Sequence, residues 1–424
     1  MDSQNSQPMT LIHRNITSSI LDAMSDTPVI LIQGARQVGK STLIKMLSDQ
    51  IDSMQVTFDD PTVLAAARAD PLSFVDQYPA GVLAIDEVQL FPEILRAIKL
   101  KVDESRRPGR FLLTGSANLL HTSGANESLA GRIETVILYP FSQGEINGRQ
   151  EDFISRIIND TPNQTLFQAS DLSRADYAVT VAAGGYPDAF TRSSRRRRAY
   201  YQNYLSSILD HDAAELSGLM HLGRLHDLVS VLSGQTSSEF IAASVAKLVQ
   251  MPETSIPAYI RLLKDLYLVN ELSAWGRNIT HRAVSRKKVS MADTGLSAYL
   301  NGVDETALAG PMYGEAFGAL LESFVVSELF KQRTWSSEDY SIYHYRDRDK
   351  REVDIIIELY DGRIIALEIK ASQSASGKDF NGIRTIKDAI SDRFVCGLVL
   401  YTGADTLPFG DKLFAVPIST IWNT

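Results

Sequence analysis

The chain of 424 residues has one cysteine, three tryptophans and seven histidines. A single cysteine excludes an internal disulfide and any zinc site built on cysteines. Cys396 itself lies in the apolar run "DRFVCGLVLY", where it reads as a small buried hydrophobe rather than a nucleophile or ligand. No run of about 18 apolar residues occurs, which argues against a membrane-spanning helix and a membrane partner. The opening "MDSQNSQPMTLIHRN" lacks a basic and then apolar leader, so the cytoplasm is the expected compartment. Positive charge is also in short supply. With 42 Lys and Arg against 51 Asp and Glu the net charge is -9, so any nucleic-acid surface must be a local patch on an acidic protein. What remains is globular: 44% hydrophobic and 22% charged residues, and length for roughly two to four domains.

The stretch "ILIQGARQVGKSTLIKML" (Ile30 to Leu47) contains a glycine, four residues, then Gly-Lys-Ser. An apolar β-type run precedes it and a helical pattern follows, the order a phosphate-binding loop requires. Gly34, Ala35, Arg36, Gln37, Val38 and Gly39 supply backbone N–H groups for phosphate oxygens, helped by the helix N-terminus. Lys40 is placed for the β- and γ-phosphates, Ser41 for Mg²⁺, and Thr42 continues the loop into the helix.

About 45 residues on, "GVLAIDEVQLF" is an apolar strand ending in two acids. Asp86 fits a Mg²⁺-holding carboxylate and Glu87 the group that orients or deprotonates water. In "RFLLTGSANLL", Thr114, Ser116 and Asn118 are either sensors of the γ-phosphate and lytic water or a hydroxyl-rich turn. Arg132 is either a transition-state finger, in cis or from a neighbouring subunit, or a salt-bridge residue. Strands are expected at 28–33, 55–60, 81–86, 110–114 and 134–138, forming an α/β fold with a parallel sheet and helices on both faces.

Taken together, the phosphate loop, "AIDEVQ", "LLTGS", "LAGR", "YPFSQGE" and "GGYPDAF" resemble an AAA-type P-loop ATPase family. Its members carry a C-terminal domain of uncharacterised function similar to restriction-endonuclease folds. The resemblance implies an ATPase core over 1–148, a helical lid over 149–235, a winged-helix-like domain over 236–312 and a nuclease-like domain over 313–424. ATP rather than GTP as the nucleotide also rests on it, since no "NKxD" guanine-reading motif occurs.

In the middle region, five arginines fall among the seven residues from Arg192 to Arg198. Such a run is a solvated face unless an anionic partner compensates its place near a helix N-terminus. DNA phosphate, through Arg195, Arg196, Arg197 and Arg198, is one such partner; the acids of a neighbouring subunit are another. From Ser237 to Trp275 the pattern runs helix, turn, helix, strand, and returns through "RKKVSMAD". As a winged helix it would offer Arg261, Lys264, Arg286, Lys287 and Lys288 to DNA; as a packing module it would use Leu262, Leu263, Leu266 and Leu268 as core.

At the C-terminal end, "REVDIIIEL" and "RIIALEIKAS" flank Asp361-Gly362 as a hairpin. Strand period puts Ala366, Glu368 and Lys370 on one face, with Asp354 shown to the same cluster from the preceding strand. That is the arrangement of PD-(D/E)xK nucleases: Asp354 and Glu368 would hold Mg²⁺, Lys370 would position hydroxide, and Glu322 resembles the extra acid many such folds carry. Glu-x-Lys is also a common surface pair, and Glu352-Val353 stands where the pattern has proline. The expectation is an oligomeric, Mg²⁺-dependent ATPase that remodels or processes DNA, branched DNA included. The alternative is a signalling or toxin-related ATPase switch whose nuclease-like end is an interaction module.

Overall fold

A computed structural model describes residues 11–116, 129–160, 167–216, 222–276, 282, 286–347 and 349–423. Five strands, β1 (Val29–Gln33), β2 (Ser53–Thr57), β3 (Val82–Asp86), β4 (Phe111–Gly115) and β5 (Ile133–Ile137), form a parallel sheet in the order β2-β3-β4-β1-β5. β1, β3 and β4 are buried on both faces, which is why they read as continuous apolar runs rather than alternating ones. Alternate residues of β1 feed two cores. Ile30 and Ile32 pack with Leu43, Ile44 and Leu47 of the helix Lys40–Ser48, while Val29 and Leu31 pack with Ile94 and Ile98 of the helix Ile94–Glu104 on the other face.

The helix Ser194–Ser207, extended by the π-helical turn Ile208–Asp212, lies against the loop after β1. Its buried Tyr200, Tyr201 and Tyr204 join the core that holds Leu43 and Ile44. The same core takes in the helices Leu225–Gly234, Ala242–Val249 and Ile256–Asp265, so the middle of the chain packs directly on the nucleotide side of the sheet. Leu262, Leu263, Leu266 and Leu268 are core residues there.

After that helix come β6 (Val269–Ala274) and β7 (Lys288–Met291), paired antiparallel. They do not stop at a hairpin of their own. β6 runs on to pair in parallel with β8 (Tyr340–Arg346) through Ser273 and Ala274, so the pair forms one edge of an eight-stranded sheet. That sheet continues through β9 (Glu352–Leu359), β10 (Ile364–Lys370), β11 (Phe394–Tyr401), β12 (Leu407–Gly410) and β13 (Leu413–Pro417) in the order β12-β13-β11-β10-β9-β8-β6-β7. The β9–β10 hairpin forms in the expected register, with Ile364 opposite Glu358 and Leu367 opposite Ile355. Gly362 takes φ +84 in the turn, a left-handed conformation that glycine adopts at least cost. Ile365, Leu367 and Ile369 face the core built on the helix Gly314–Gln332, and Ala366 faces the core of the helix Asn381–Ile390.

Candidate functional site

The loop after β1 has the shape its sequence demands. Gly39 adopts φ +96 immediately before the helix Lys40–Ser48, and a Cβ on Gly34 would lie 2.2 Å from the Leu138 carbonyl oxygen. Lys40 is buried, and its ammonium bridges the loop by donating to the carbonyls of Gly34 at 3.0 Å and Ala35 at 2.9 Å. Burial pulls its pKa down to about 8, with the nearby charges of Glu87 and Asp86 opposing the shift and Arg36 adding to it. Ser41 and Thr42 are exposed at the helix start. From outside, Tyr200 donates to Gln37 Oε1 at 2.8 Å, Tyr204 to the Arg36 carbonyl at 3.4 Å, and Arg36 pairs with Asp212 at 2.8 Å. Val38 and Ala35 are buried beneath the loop.

At the end of β3, Asp86 is buried and accepts a hydrogen bond from the Thr114 hydroxyl. The same hydroxyl accepts from the Glu87 N–H at 3.2 Å. Thr114 is therefore a brace between the two acids and the neighbouring strand. Ser116 follows it out of β4 and meets Gln89, while Asn118 lies outside the described residues. Ser41 and Asp86 offer a hydroxyl and a carboxylate oxygen, the donor chemistry that Mg²⁺ takes beside phosphate and water.

The cis reading of Arg132 is corrected. Its carbonyl accepts from Val29 N–H at the start of β1, whereas the phosphate loop follows that strand's other end. Its guanidinium pairs instead with Asp103 at 2.6 Å. A five-residue strand at about 3.3 Å per residue separates the two ends, too far for a cis finger.

Sequence reasoning missed the cavity beside the loop. An apolar pocket of about 290 Å³ is lined by Leu11, Thr42, Met46, Phe141, Pro187 and Phe190, with Gly39 at its edge. Gly39, Thr42, Leu43 and Met46 are spaced to share one face of the helix, so the pocket opens directly from the phosphate loop. Phe141 and Phe190 meet edge to face at 5.8 Å, and the Arg14 guanidinium lies 4.7 Å over Phe141. Arg14 also donates to the Val38 carbonyl at 2.9 Å and pairs with Glu145 at 3.0 Å, with both side chains buried. The signal in the sequence is "GGYPDAF", which carries Pro187 and Phe190.

In the C-terminal sheet Asp354, Glu368, Lys370 and Glu322 do influence one another. Glu368 pairs with Lys370 at 2.8 Å, and Asp354 accepts from the Ile369 N–H at 2.8 Å. Burial, then the charge of Asp354, pushes Glu368 up to about 8 and Glu322 up to about 7. Among the described residues no three His, Cys, Asp or Glu side chains converge to hold a metal ion. Lys288 reaches in from β7 and pairs with Glu322 at 2.7 Å, so an internal cation already neutralises the fourth group.

Of the nine basic residues expected at DNA, two are inaccessible. Lys288 is mostly buried in that pair, and Arg197 is buried with its guanidinium donating to the carbonyls of Ala182 and Arg192. Tertiary packing consumes both, because a buried charge must find partners. Lys264 and Lys287 share Glu271, Arg198 lies 3.3 Å from Asp304, and Arg286 lies 3.6 Å from Glu239. Arg195, Arg196 and Arg261 are exposed, with no ion-pair partner among the described residues.

Comparison with known proteins agrees with the first half of this picture. Residues 26–147 match the family model of an AAA domain, residues 174–307 a domain of unknown function (DUF8612), and residues 317–421 a second such domain (DUF4143). Over 419 residues the chain is 27% identical to the uncharacterized proteins Rv2008c of Mycobacterium tuberculosis and Mb2031c of Mycobacterium bovis, covering 98% of this chain and 86% of each relative. Among solved structures it is similar to the Walker-type ATPase PABY2304 of Pyrococcus abyssi, with 14% identity and a TM-score of 0.44 over 70% of this chain and 99% of that one. AMPPCP-bound DnaA from Aquifex aeolicus matches at 13% identity and a TM-score of 0.27, over 59% of this chain and 85% of that one. Residues 26–147 thus carry an AAA-type P-loop ATPase domain that holds the glycine loop and the two acids, with an apolar cavity beside the loop. No described helix is long and apolar enough to cross a membrane.

Proposed function

We propose that the protein is a Mg²⁺-dependent ATPase that couples ATP turnover to binding and remodelling of DNA, branched DNA included. The observation that carries the ATPase reading is the apolar cavity opening from the phosphate loop along Gly39, Thr42, Leu43 and Met46. It is a place for adenine at the distance one helix face sets from the phosphates, with Phe141, Pro187 and Phe190 to enclose the base. Lys40 releases its two loop carbonyls to meet phosphate oxygens, which raises its fraction charged. Glu87 orients the attacking water and takes its proton, and Thr114 keeps Asp86 and Glu87 in fixed relation. Mg²⁺ would supply neutralisation of the phosphate charge, held by Ser41 and Asp86. Arg132, directed away from its own site, would serve the site of a neighbouring subunit in a homo-oligomer.

The DNA reading rests on less. Exposed Arg195, Arg196 and Arg261 are the contacts that remain for phosphate, and they suit sequence-independent binding. The nuclease-like reading of the C-terminal domain is supported by the β9–β10 hairpin, in which Glu368 pairs with Lys370 and Asp354 accepts from the Ile369 N–H between them. With Lys288 and Lys370 neutralising two of its three acids, that domain reads DNA in this proposal and does not cut it. The loss of so many basic residues to internal pairs favours a second reading, an ATPase switch whose C-terminal domain binds protein.

One set of measurements separates these. ATPase rates of the full chain and of Lys40→Ala, with and without single-stranded, duplex and branched DNA at two salt concentrations, should show Lys40-dependent turnover that branched DNA raises most. Salt-insensitive turnover that no DNA alters would overturn the DNA reading and leave the switch. The same incubations with Mg²⁺ or Mn²⁺ should leave DNA intact; cleavage that Glu368→Ala abolishes would make the domain a nuclease.

A further inference from the structure

Phe141, which lines the cavity beside the phosphate loop, is held by its backbone from two sides. Its N–H donates to the Gly185 carbonyl at 2.8 Å, in the turn that brings Pro187 and Phe190 to the same cavity. A Cβ on Gly185 would collide with the Phe141 carbonyl oxygen, so glycine lets the two walls close on one another. That carbonyl accepts from the Lys331 ammonium at 3.0 Å, and Lys331 belongs to the helix Gly314–Gln332 of the C-terminal domain. One turn earlier on the same helix face, Glu328 pairs with Lys331 at 2.6 Å and accepts the Gln143 N–H at 2.8 Å. The two side chains are only 5% and 0% exposed. An ion pair this deeply buried is, as a rule, no more stabilising than apolar side chains of the same volume. What it supplies is a fixed position for the backbone of Phe141 and Gln143.

Resting on the ATPase reading and its placement of adenine in the cavity, we infer that Lys331 is a positioning residue for the nucleotide base, supplied to the ATPase domain by the C-terminal domain. Among the described residues its hydrogen bonds go to Phe141 and Glu328, and none reaches the phosphate loop. Arg14 differs, since it lies over Phe141 and also donates to the Val38 carbonyl, serving wall and loop together. Lys331 therefore acts on base binding and leaves the phosphate subsite alone. Fixing Phe141 before the nucleotide arrives removes an ordering cost that binding would otherwise meet. The linkage is reciprocal: a base seated against Phe141 stabilises the docked helix by the same factor by which the docked helix favours the base. The same helix carries Glu322 of the C-terminal acid cluster, so one element runs from that cluster to the wall of the nucleotide cavity.

The test is calorimetric titration of the full chain with Mg²⁺-ATP and with Mg²⁺-tripolyphosphate, which offers the phosphates without the base. Lys331→Met alone strands a buried carboxylate, so it is combined with Glu328→Gln, whose amide oxygen still accepts the Gln143 N–H. The double variant should bind ATP roughly tenfold more weakly and tripolyphosphate within about twofold of the parent. A merely structural role would weaken both alike. Equal weakening, or unchanged ATP affinity in a folded double variant, overturns the positioning role. Hydrogen exchange needs no variant: in the parent, the Gln143 amide should exchange roughly tenfold more slowly with saturating ATP than with saturating tripolyphosphate. Equal protection by the two ligands overturns the positioning role whether or not the double variant folds. A parent that binds neither ligand sinks the ATPase reading with it. A preference for ATP over tripolyphosphate that survives the double substitution sinks the role of Lys331 alone.

Discussion

Glu151→Gln offers a direct test of the junction between the ATPase domain and the C-terminal helix. Glu151 is fully buried, neither carboxyl oxygen has a hydrogen-bond partner of good geometry among the described residues, and a Cβ on Gly144 would lie 2.1 Å from one of them. Around it lie Glu328, which accepts from Gln143 N–H at 2.8 Å and pairs with Lys331 at 2.6 Å, and Glu145, held by Arg14. Burial first, then the charges of Glu328 and Glu145, pushes the Glu151 pKa up to about 9 against an unfolded value of 4.5; Ser142 and Lys331 oppose the shift. The folded state therefore holds a proton that the unfolded chain releases. For such a raised acid, stability is fully present below the unfolded pKa and is lost as pH rises toward the folded one. The slope is about 1.4 kcal/mol per pH unit, so roughly 2.7 kcal/mol is lost between pH 6 and 8. Glutamine has the same shape and no proton to lose, and its amide can donate to the nearby carboxylates. The stability gain of Glu151→Gln over the parent should thus grow by about that amount across the window. Trp335 is the probe, since its indole N–H donates to the Glu151 carbonyl at 2.7 Å. Its fluorescence in urea titrations at pH 6, 7 and 8 should diverge between the two proteins by on the order of 1 M in midpoint. Parallel losses in both proteins would refute a buried, protonated Glu151.

Arg132 should act only between subunits, so Arg132→Ala and Lys40→Ala proteins, each inactive, should partly restore ATPase when co-assembled; a protein that stays monomeric with ATP and DNA at micromolar concentration ends that reading. The arginine run should divide in two. Replacing Arg195 and Arg196 by Ser should weaken DNA binding and flatten its salt slope with folding unchanged, whereas Arg197→Ala should cost about 2–4 kcal/mol of stability by leaving the Ala182 carbonyl without its donor. Fluorescence anisotropy and thermal melts check the two halves, and equal effects from both variants would return the run to a plain solvated face.

How far each feature was legible in advance follows from the range of the interactions that form it. The phosphate loop was readable because strand, glycine turn and helix N-terminus are consecutive and each is fixed by local backbone preference. The β9–β10 hairpin was readable for the same reason, with Asp361-Gly362 at the turn and period-two alternation setting the faces. Thr114 was visible as a polar residue at a strand end, but its partner Asp86 lies on the neighbouring strand β3, and pairing chooses that neighbour. Nothing local distinguishes Arg197 from Arg196. They differ because the helix Ser194–Ser207 turns one toward the Ala182 carbonyl and the other to solvent.

The sequence by itself determined the elements whose chemistry is written in contiguous residues: the nucleotide loop, the acid pair Asp86-Glu87, the parallel strands around them and the Asp354, Glu368, Lys370 cluster. Tertiary structure alone decided what surrounds them. It gathered Leu11, Thr42, Phe141 and Phe190 into one cavity, carried Lys288 from β7 into the acids of the C-terminal sheet, and joined β6 to β8 so that the middle and end of the chain share a sheet. The physical reason is that backbone preference acts over a few residues, whereas burial and charge pairing act on whichever side chains the packed fold brings within about 4 Å, however far apart they stand in sequence.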